Sequence, residues 1–300
     1  TSAGLCLPLT LALYLIMLSA APALAQEDAR LVTLRHEFHI GIVVKAKTFT
    51  ILSTTTLANV GKENVHTLRF SLPAAAMRGA VKVDTRKVEV EADPPGGRHA
   101  KRRGYTVTLP EPLKRTESVT LTVDYTLPHQ GQRPEWQLRR DYAMGWSRWF
   151  PQVDGVGDHA APYRMTFDTS SDLVPVTPGL RTETERHHFV YDCPVTIEPF
   201  FVAGTFRYYG ASAKPFYADT YAVISVREPL VKRFIVPSVL KTVRVVGQAV
   251  GEPAYSRGQF VVANQKKLFF EDRPFFIWLR ADWWRSPHIA RMHSARVGTK

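Results

Sequence analysis

The sequence predicts a mainly β protein: an antiparallel β-sandwich or saddle over residues 26–210, followed by a short α+β segment. Three observations support this prediction. Short stretches of alternating apolar and polar residues follow one another from residue 30 to residue 127, which is the two-residue period of half-buried strands. Segments rich in Gly and Pro separate these stretches. After Tyr209 the apolar residues adopt helical spacing.

The first group of predicted strands covers the N-terminal half of the chain. The period is cleanest at Val119, Leu121, Val123 and Tyr125. The segments 60–64, 94–97, 110–112 and 128–131 predict turns, and short strands at this spacing favour an antiparallel sandwich. The predicted strands cover residues 31–44, 48–60, 66–72, 81–92, 105–109 and 119–125.

A second group of strands follows an aromatic loop at residues 146–154 (Trp-Ser-Arg-Trp-Phe-Pro-Gln-Val-Asp). Aromatic and β-branched residues punctuated by Pro and Gly are typical of strands and turns. The predicted elements are a strand at 164–167, a charged hairpin at 181–186, and strands at 188–191 and 200–206.

The pattern changes beyond Tyr209. Residues 210–215 predict a linker, 217–226 a further strand, 227–250 a helix and 260–263 a strand. Pro237 lies inside the predicted helix, where proline forces a kink or costs about 3 kcal/mol.

Residues 1–25 predict a secretory signal peptide. An uncharged apolar run from Leu5 to Leu18 precedes Ala23-Leu-Ala25, which indicates cleavage after Ala25 and a secreted, periplasmic or extracellular protein. The alternative is an uncleaved anchor helix, but the run is short for a span of about 20 residues. After cleavage we expect no stable membrane span. Since an initiator Met and a basic leader are missing, we expect the gene to begin upstream.

Charge and cysteines narrow the classes of partner. The net charge is +12, with a basic cluster at residues 98–103. It follows a turn signal between two predicted strands, so a solvated hairpin loop is favoured over a surface for nucleic acid. Cys6 leaves with the signal peptide, and Cys193 is expected to be a small buried side chain rather than a catalytic thiol.

Several short motifs, in order, resemble the N-terminal β-domain of the aminopeptidase N-like family of zinc metallopeptidases. Residues 148–154 resemble the family's Arg…Phe-Pro-Cys-x-Asp-Glu-Pro loop, and residues 201–206 resemble Phe-x-Val-Gly-x-Phe. Residues 111–113 and 121–125 resemble its Pro-Leu and Leu-x-Ile-x-Tyr segments. The chain departs from the pattern at Gln152, where the family has Cys, and at Gly155-Val156, where it has Glu-Pro. The resemblance covers about residues 30–209.

The resemblance implies roles for two further parts of the chain. Residues 211–300 correspond to the partial start of a thermolysin-like catalytic domain, or to a diverged tail. Asp141 corresponds to a family residue that holds the free amine of the peptide substrate, although a surface Asp paired with Arg139 or Arg140 is the alternative. The intact parent would bind zinc and pair this β-domain with a catalytic domain in the same chain.

The sequence itself contains no catalytic motif and no metal site. Zinc peptidases of this family need His-Glu-x-x-His on a helix, and the nearest match, residues 36–39, places the second His one residue early in a predicted strand. His36 and His39 should then point to opposite faces. Neither the pair 187–188 nor His288 and His293 complete a site.

We therefore expect the non-catalytic N-terminal portion of a secreted aminopeptidase N-like metallopeptidase, inactive alone and with no cofactor of its own. The alternative is a stand-alone secreted β-sandwich that binds a protein, peptide or glycan through its aromatic loop and basic edge.

Overall fold

The computed structural model of the protein describes residues 30–94, 101–129, 136–140, 142–146, 148–213, 216–224, 227–241, 257–263 and 276–280. It is mainly β, with antiparallel sheets and one short helical segment towards the C-terminus, and the predicted fold class is confirmed. The chain divides into two compact units at the bond between Gly204 and Thr205. Among the residues just given, no helix is both long and apolar enough to cross a membrane.

The first unit contains sixteen described strands. In chain order they are β1 (Leu31–Val43), β2 (Thr48–Asn59), β3 (Val65–Pro73), β4 (Met77–Val83), β5 (Arg86–Lys87), β6 (Glu91–Ala92), β7 (Arg102–Leu113), β8 (Ser118–Pro128), β9 (Trp136–Leu138), β10 (Tyr142–Gly145), β11 (Gln152–Val153), β12 (Ala161–Thr169), β13 (Val174–Val176), β14 (Leu180–Glu185), β15 (His188–Ile197) and β16 (Phe201–Gly204).

These strands form three sheets. Sheet A has the order β14-β15-β12-β1-β2-β8-β4-β5, sheet B the order β11-β3-β7-β6, and sheet C the order β13-β16-β10-β9. All pairs are antiparallel except β1 with β12, which run parallel with His36 opposite Tyr163 and Ile42 opposite Thr169. This pair joins the two groups of strands that the sequence predicts separately.

The core of this unit lies on the inner face of sheet A. Phe38, Ile40 and Ile42 alternate along β1 and are at most 2% exposed, as the predicted period requires. Phe49 of β2 and Phe167 of β12 make edge contacts with Phe201 of sheet C, at 5.9 and 5.2 Å between ring centroids. Such edge-to-face pairs stabilise a core beyond the apolar area that they bury.

The structure corrects three boundaries of the predicted elements. The alternating stretch 81–92 is not one strand, because Asp84 adopts a positive φ of 53° and turns β4 into β5. The predicted strand 200–206 is divided at Thr205. The predicted linker at 210–215 is also wrong, since Gly210 lies inside strand β17 (Phe206–Ala213), opposite Asp219.

The second unit contains sheet D and helix α1 among its described residues. The sheet has the order β17-β18-β19-β20, with β18 at Phe216–Val223, β19 at Arg257–Ala263 and β20 at Phe276–Arg280. Helix α1 spans residues 228–241 and begins with an α-helical turn, Glu228–Leu230, followed by a π-helical turn, Val231–Ile235. The rest of the predicted helix, residues 242–250, lies outside the described residues.

Pro237 is accommodated within helix α1. The backbone N–H of Val236 donates to the carbonyl of Val231, five residues earlier, directly before the proline. A π-helical turn at this point changes the hydrogen-bond ladder where Pro237 has no N–H to offer. The predicted interruption is therefore a local change of helix type, and residues on both sides stay helical.

Candidate functional site

The β9–β10 hairpin (residues 136–145) flanks Asp141, the residue predicted to bind substrate. Asp141 itself lies outside the described residues, so its predicted role stays a prediction. On either side, the backbone N–H of Arg139 donates to the carbonyl of Tyr142 at 2.6 Å, which closes the turn between the two strands. The hairpin joins sheet C through β10, with Met144 opposite Val202 of β16.

The side chains of strand β10 are buried, as are Trp136 and Leu138 of β9. The Tyr142 hydroxyl donates to the sulfur of Met144 at 2.8 Å. Burial raises the pKa of Tyr142, so its hydroxyl stays protonated. The indole N–H of Trp136 donates to the carbonyl of Pro128 at 3.1 Å. Burial and these hydrogen bonds therefore hold strands β9 and β10 in place.

The aromatic loop, residues 146–154, packs directly against the end of β10. A Cβ atom at Gly145 would lie 2.6 Å from the Phe201 ring and 3.0 Å from the Trp149 ring, so only glycine fits. Trp149 is 1% exposed, and its indole N–H donates to the carbonyl of Pro199 at 3.0 Å. The Tyr125 hydroxyl donates to the Trp149 carbonyl at 3.2 Å. The centre of the loop, residues 149–151, is thus part of the core.

The predicted role of Asp141 requires a carboxylate that binds an ammonium group by a charge-assisted hydrogen bond. Its neighbours in sequence, Arg139 and Arg140, are the partners that the alternative interpretation names.

A second polar cluster lies on the outer face of sheet A, on three adjacent strands. Asp168 of β12 accepts a hydrogen bond on each carboxylate oxygen, from Nδ1 of His188 at 2.7 Å and from Nε2 of His39. His188 is directly opposite Asp168, and on the other neighbouring strand Asp168 is opposite Gly41, two residues from His39. About half of the Asp168 side chain is exposed.

Two opposing effects set the pKa of Asp168. Burial raises its pKa, but the hydrogen bonds from His188 and His39 lower it by more than burial raises it. The pKa therefore lies below the ordinary value of 3.8. The cluster borders a surface groove of about 590 Å³, with Gly41, Thr50, Leu52 and Asp124 along its other sides. The carboxylate stays ionised at neutral pH and holds both rings.

His36 lies on the opposite face of β1 from His39, as the strand period predicts. It is 1% exposed, whereas the His39 side chain is 52% exposed. Its Nε2–H donates to the carbonyl of His159 at 2.9 Å, so Nδ1 accepts from the Thr55 hydroxyl at 3.0 Å. Burial lowers its pKa from 6.5 to about 4. The ring is a neutral part of the core and no metal ligand.

Among the residues that the structure describes, no group of three or more His, Cys, Asp or Glu side chains could hold a metal ion. In the His39–Asp168–His188 cluster each carboxylate oxygen accepts a hydrogen bond from one imidazole ring. The three side chains are therefore linked by hydrogen bonds and do not surround a common point as metal ligands would. His288 and His293 lie outside the described residues. Cys193 is 1% exposed in β15, which confirms the buried interpretation.

The sequence interpretation missed the role of Asp168. From the sequence, the histidines at 36–39 and at 187–188 are two separate pairs, and neither is linked to Asp168. His39 and Asp168 are 129 residues apart in the chain. Only the parallel pairing of β1 with β12 brings them together. No local motif signals such a contact. The one available signal is that His39 and Asp168 each occupy an outward-facing position of a predicted strand.

Known structures share this fold. An M1 zinc metallopeptidase from Deinococcus radiodurans is 16% identical over 92% of this chain and 65% of its own, with a TM-score of 0.67. A mutant of that enzyme bound to a Tyr-Ser-Ala substrate gives 15% identity, 91% and 65% coverage, and a TM-score of 0.66. Yeast LTA4 hydrolase gives 11% identity, 93% and 46% coverage, and a TM-score of 0.71.

The chain spans less than two thirds of the length of the Deinococcus structures and less than half of the yeast one. No protein-family model matches the sequence, and no curated protein sequence matches it either. At these identities the likeness concerns the fold. The resemblance in sequence motifs is thus confirmed in three dimensions: this chain has the fold of the N-terminal part of the M1, aminopeptidase N-like, zinc metallopeptidases.

Proposed function

We propose that this chain is the non-catalytic N-terminal portion of a secreted aminopeptidase N-like zinc metallopeptidase. The single observation behind the proposal is the match of 92% of the chain to an M1 zinc metallopeptidase, at a TM-score of 0.67. The parent would remove N-terminal residues from peptides. Its zinc and its attacking water would come from a His-Glu-x-x-His helix that this sequence does not contain.

In this proposal the first unit supports substrate binding. The buried strand β10, which follows Asp141 in the sequence, pairs with β16 of sheet C. The carboxylate of Asp141 would bind the substrate's ammonium group by a charge-assisted hydrogen bond. The second unit, which begins at Thr205, would open the thermolysin-like catalytic domain.

The test has two arms. The purified chain, residues 26–300, is incubated with zinc and an aminoacyl anilide, and we expect no turnover. The same assay is then run on the product of the gene extended beyond residue 300. If the extension encodes His-Glu-x-x-His, we expect zinc-dependent turnover that a chelator abolishes. Chelator-sensitive turnover by the 26–300 chain would overturn the non-catalytic assignment.

Asp141→Asn in the active, extended protein tests the proposed amine contact. We expect a higher KM for substrates with a free N-terminal amine, with kcat reduced less, since the contact exists in the ground state. Glu111→Gln, the same change at an exposed carboxylate of β7, is the matched control and should leave KM unchanged. An unaltered KM in Asp141→Asn would remove this residue from the site.

The proposal also includes export. Cleavage after Ala25 should give a mature N-terminus at Gln26. N-terminal sequencing of the protein recovered outside the cytoplasm measures this directly, and a retained segment 1–25 would instead indicate an anchor. An extended gene that stops without a zinc motif would favour the stand-alone binding module.

A further inference from the structure

Two arginines from different sheets meet at one aromatic ring. The guanidinium carbons of Arg78, in β4 of sheet A, and Arg103, in β7 of sheet B, lie 5.3 and 5.9 Å from the centroid of the Tyr105 ring. Both distances are within the range of cation–π contacts. The ring of Tyr105 is thus a shared contact of two positive charges from separate strands.

Both arginines start from the inner faces of their sheets. Cross-strand partners point to the same face, and Arg78 is opposite Tyr125 while Arg103 is opposite Leu72. These partners are 1% and 0% exposed. The two arginines are nevertheless exposed, so their guanidinium groups lie at the open rim between sheets A and B.

The Tyr105 ring is held in place by its surroundings. Phe70 stacks against the ring with its centroid at 5.4 Å and an angle of 24° between the planes. Tyr105 is 4% exposed, so its ring forms a fixed contact for the two guanidinium groups.

No carboxylate among the described residues forms an ion pair with Arg78 or Arg103. Asp93, which lies beside Gly104, pairs instead with Arg69 at 2.5 Å. Asp124 lies on the outer face of sheet A, as the alternating burial along β8 shows, and its carboxylate is beside Gly79. Two like charges held together in a chain of net charge +12 repel each other, and an anion between them would remove this repulsion.

We propose that Arg78 and Arg103 form a binding site for a tetrahedral oxyanion, a phosphate or sulfate group. Each guanidinium can donate two parallel hydrogen bonds to a pair of oxygens. A tetrahedral group has enough oxygens to accept from both arginines, whereas a carboxylate satisfies one. The Tyr105 ring fixes the two donors in advance, which lowers the entropy lost on binding.

The test uses the full chain with its arginines labelled with ¹⁵N and inorganic phosphate as the probe, at constant ionic strength. We expect saturable changes in the Nε–H signals of Arg78 and Arg103. Arg78→Lys and Arg103→Lys keep the charge and the alkyl contact with Tyr105 but lose the forked donor, and each should weaken binding about tenfold. Thermal unfolding of each variant checks that the fold is retained.

Arg86→Lys, on the exposed edge strand β5, is the matched control and should leave the phosphate affinity unchanged. Equal weakening by Arg86→Lys would show a general charge effect and overturn the site, as would a linear, unsaturable response of the arginine signals. A second arm compares vesicles of phosphatidic acid with neutral phosphatidylcholine vesicles. Binding to the anionic vesicles that Arg78→Lys weakens would identify a lipid headgroup as the source of the phosphate, and phosphate binding without it would identify a free phosphate group.

Discussion

The guanidinium group of Arg102 donates a hydrogen bond to the backbone carbonyl of Phe150 at 3.0 Å. The same group also bonds the carbonyl of Arg148 and, at 2.9 Å, the hydroxyl of Ser71 in β3. One side chain at the start of β7 therefore fastens the aromatic loop to sheet B. Arg148 adopts a positive φ of 53° inside that loop, a conformation that surrounding contacts must hold in place.

Replacing Arg102 should destabilise the first unit. Hydrogen bonds to charged groups contribute about 1.5–3 kcal/mol each, and several loop carbonyls would lose a donor, so we expect Arg102→Ala to lower the free energy of unfolding by about 3 kcal/mol. Urea denaturation monitored by tryptophan fluorescence measures the change. Arg115→Ala, at an exposed turn, is the control and should change stability by less than about 0.5 kcal/mol. Equal effects in the two variants would refute the fastening role.

His36 predicts a loss of stability in acid. Its pKa is about 4 in the folded chain and 6.5 when unfolded, so the unfolded state takes up the proton first. The contribution of neutral His36 to the free energy of unfolding is therefore fully present above pH 6.5. It is lost as the pH falls towards about 4, by about 3 kcal/mol in total. Burial also lowers the pKa of His159, which adds a loss in the same direction.

The measurement is the free energy of unfolding at a series of pH values. His36→Gln removes the titrating group, so its stability should be lower at neutral pH but should depend less on pH between 6.5 and about 4. His66→Gln, at an exposed position of β3, should keep the pH dependence of the unsubstituted chain. A slope as steep in His36→Gln as in the unsubstituted chain would assign the whole effect to other groups, such as His159.

Two glycines with positive φ give a matched pair of substitutions. At Gly179, with φ of 115°, an added Cβ would lie 2.4 Å from the carbonyl oxygen of Asp192, whereas at Gly155, with φ of 78°, nothing lies within 4 Å. Gly155→Ala should cost only the backbone strain, about 1–2 kcal/mol. Gly179→Ala should cost at least about 2 kcal/mol more, because backbone atoms of β15 must move. Unfolding midpoints that coincide would contradict this order.

The Asp168 carboxylate should add a small, acid-sensitive contribution. Because its folded pKa is lowered, it stabilises the fold above its ordinary pKa, and this contribution is lost as the pH falls through the folded value. Half of the side chain is exposed, so Asp168→Asn should cost no more than about 1 kcal/mol near neutral pH. The difference from the unsubstituted chain should shrink in acid. A difference that grows in acid would contradict the hydrogen-bonded pairing with His39 and His188.

Local patterns predict most strands, and long-range pairing explains what they miss. The period of Val119, Leu121 and Val123 predicts β8 because burial on one face repeats every two residues. The turn at Asp84 is missed because its residues also fit an alternating strand. The site around Asp141 rests on resemblance, and the Asp168 cluster and the arginine pair at Tyr105 depend on which strands become neighbours, which no window of sequence specifies.

The parallel pair β1 and β12 sets a condition on how the chain folds during its synthesis. The first strand of the sheet finds this partner only after some 129 further residues have emerged, so sheet A cannot be completed while the N-terminal half alone is available. Until then β1 has one open edge, and such edges associate with other chains. A dependence on chaperones during synthesis, and aggregation of versions of the chain that end before β12, follow from this topology.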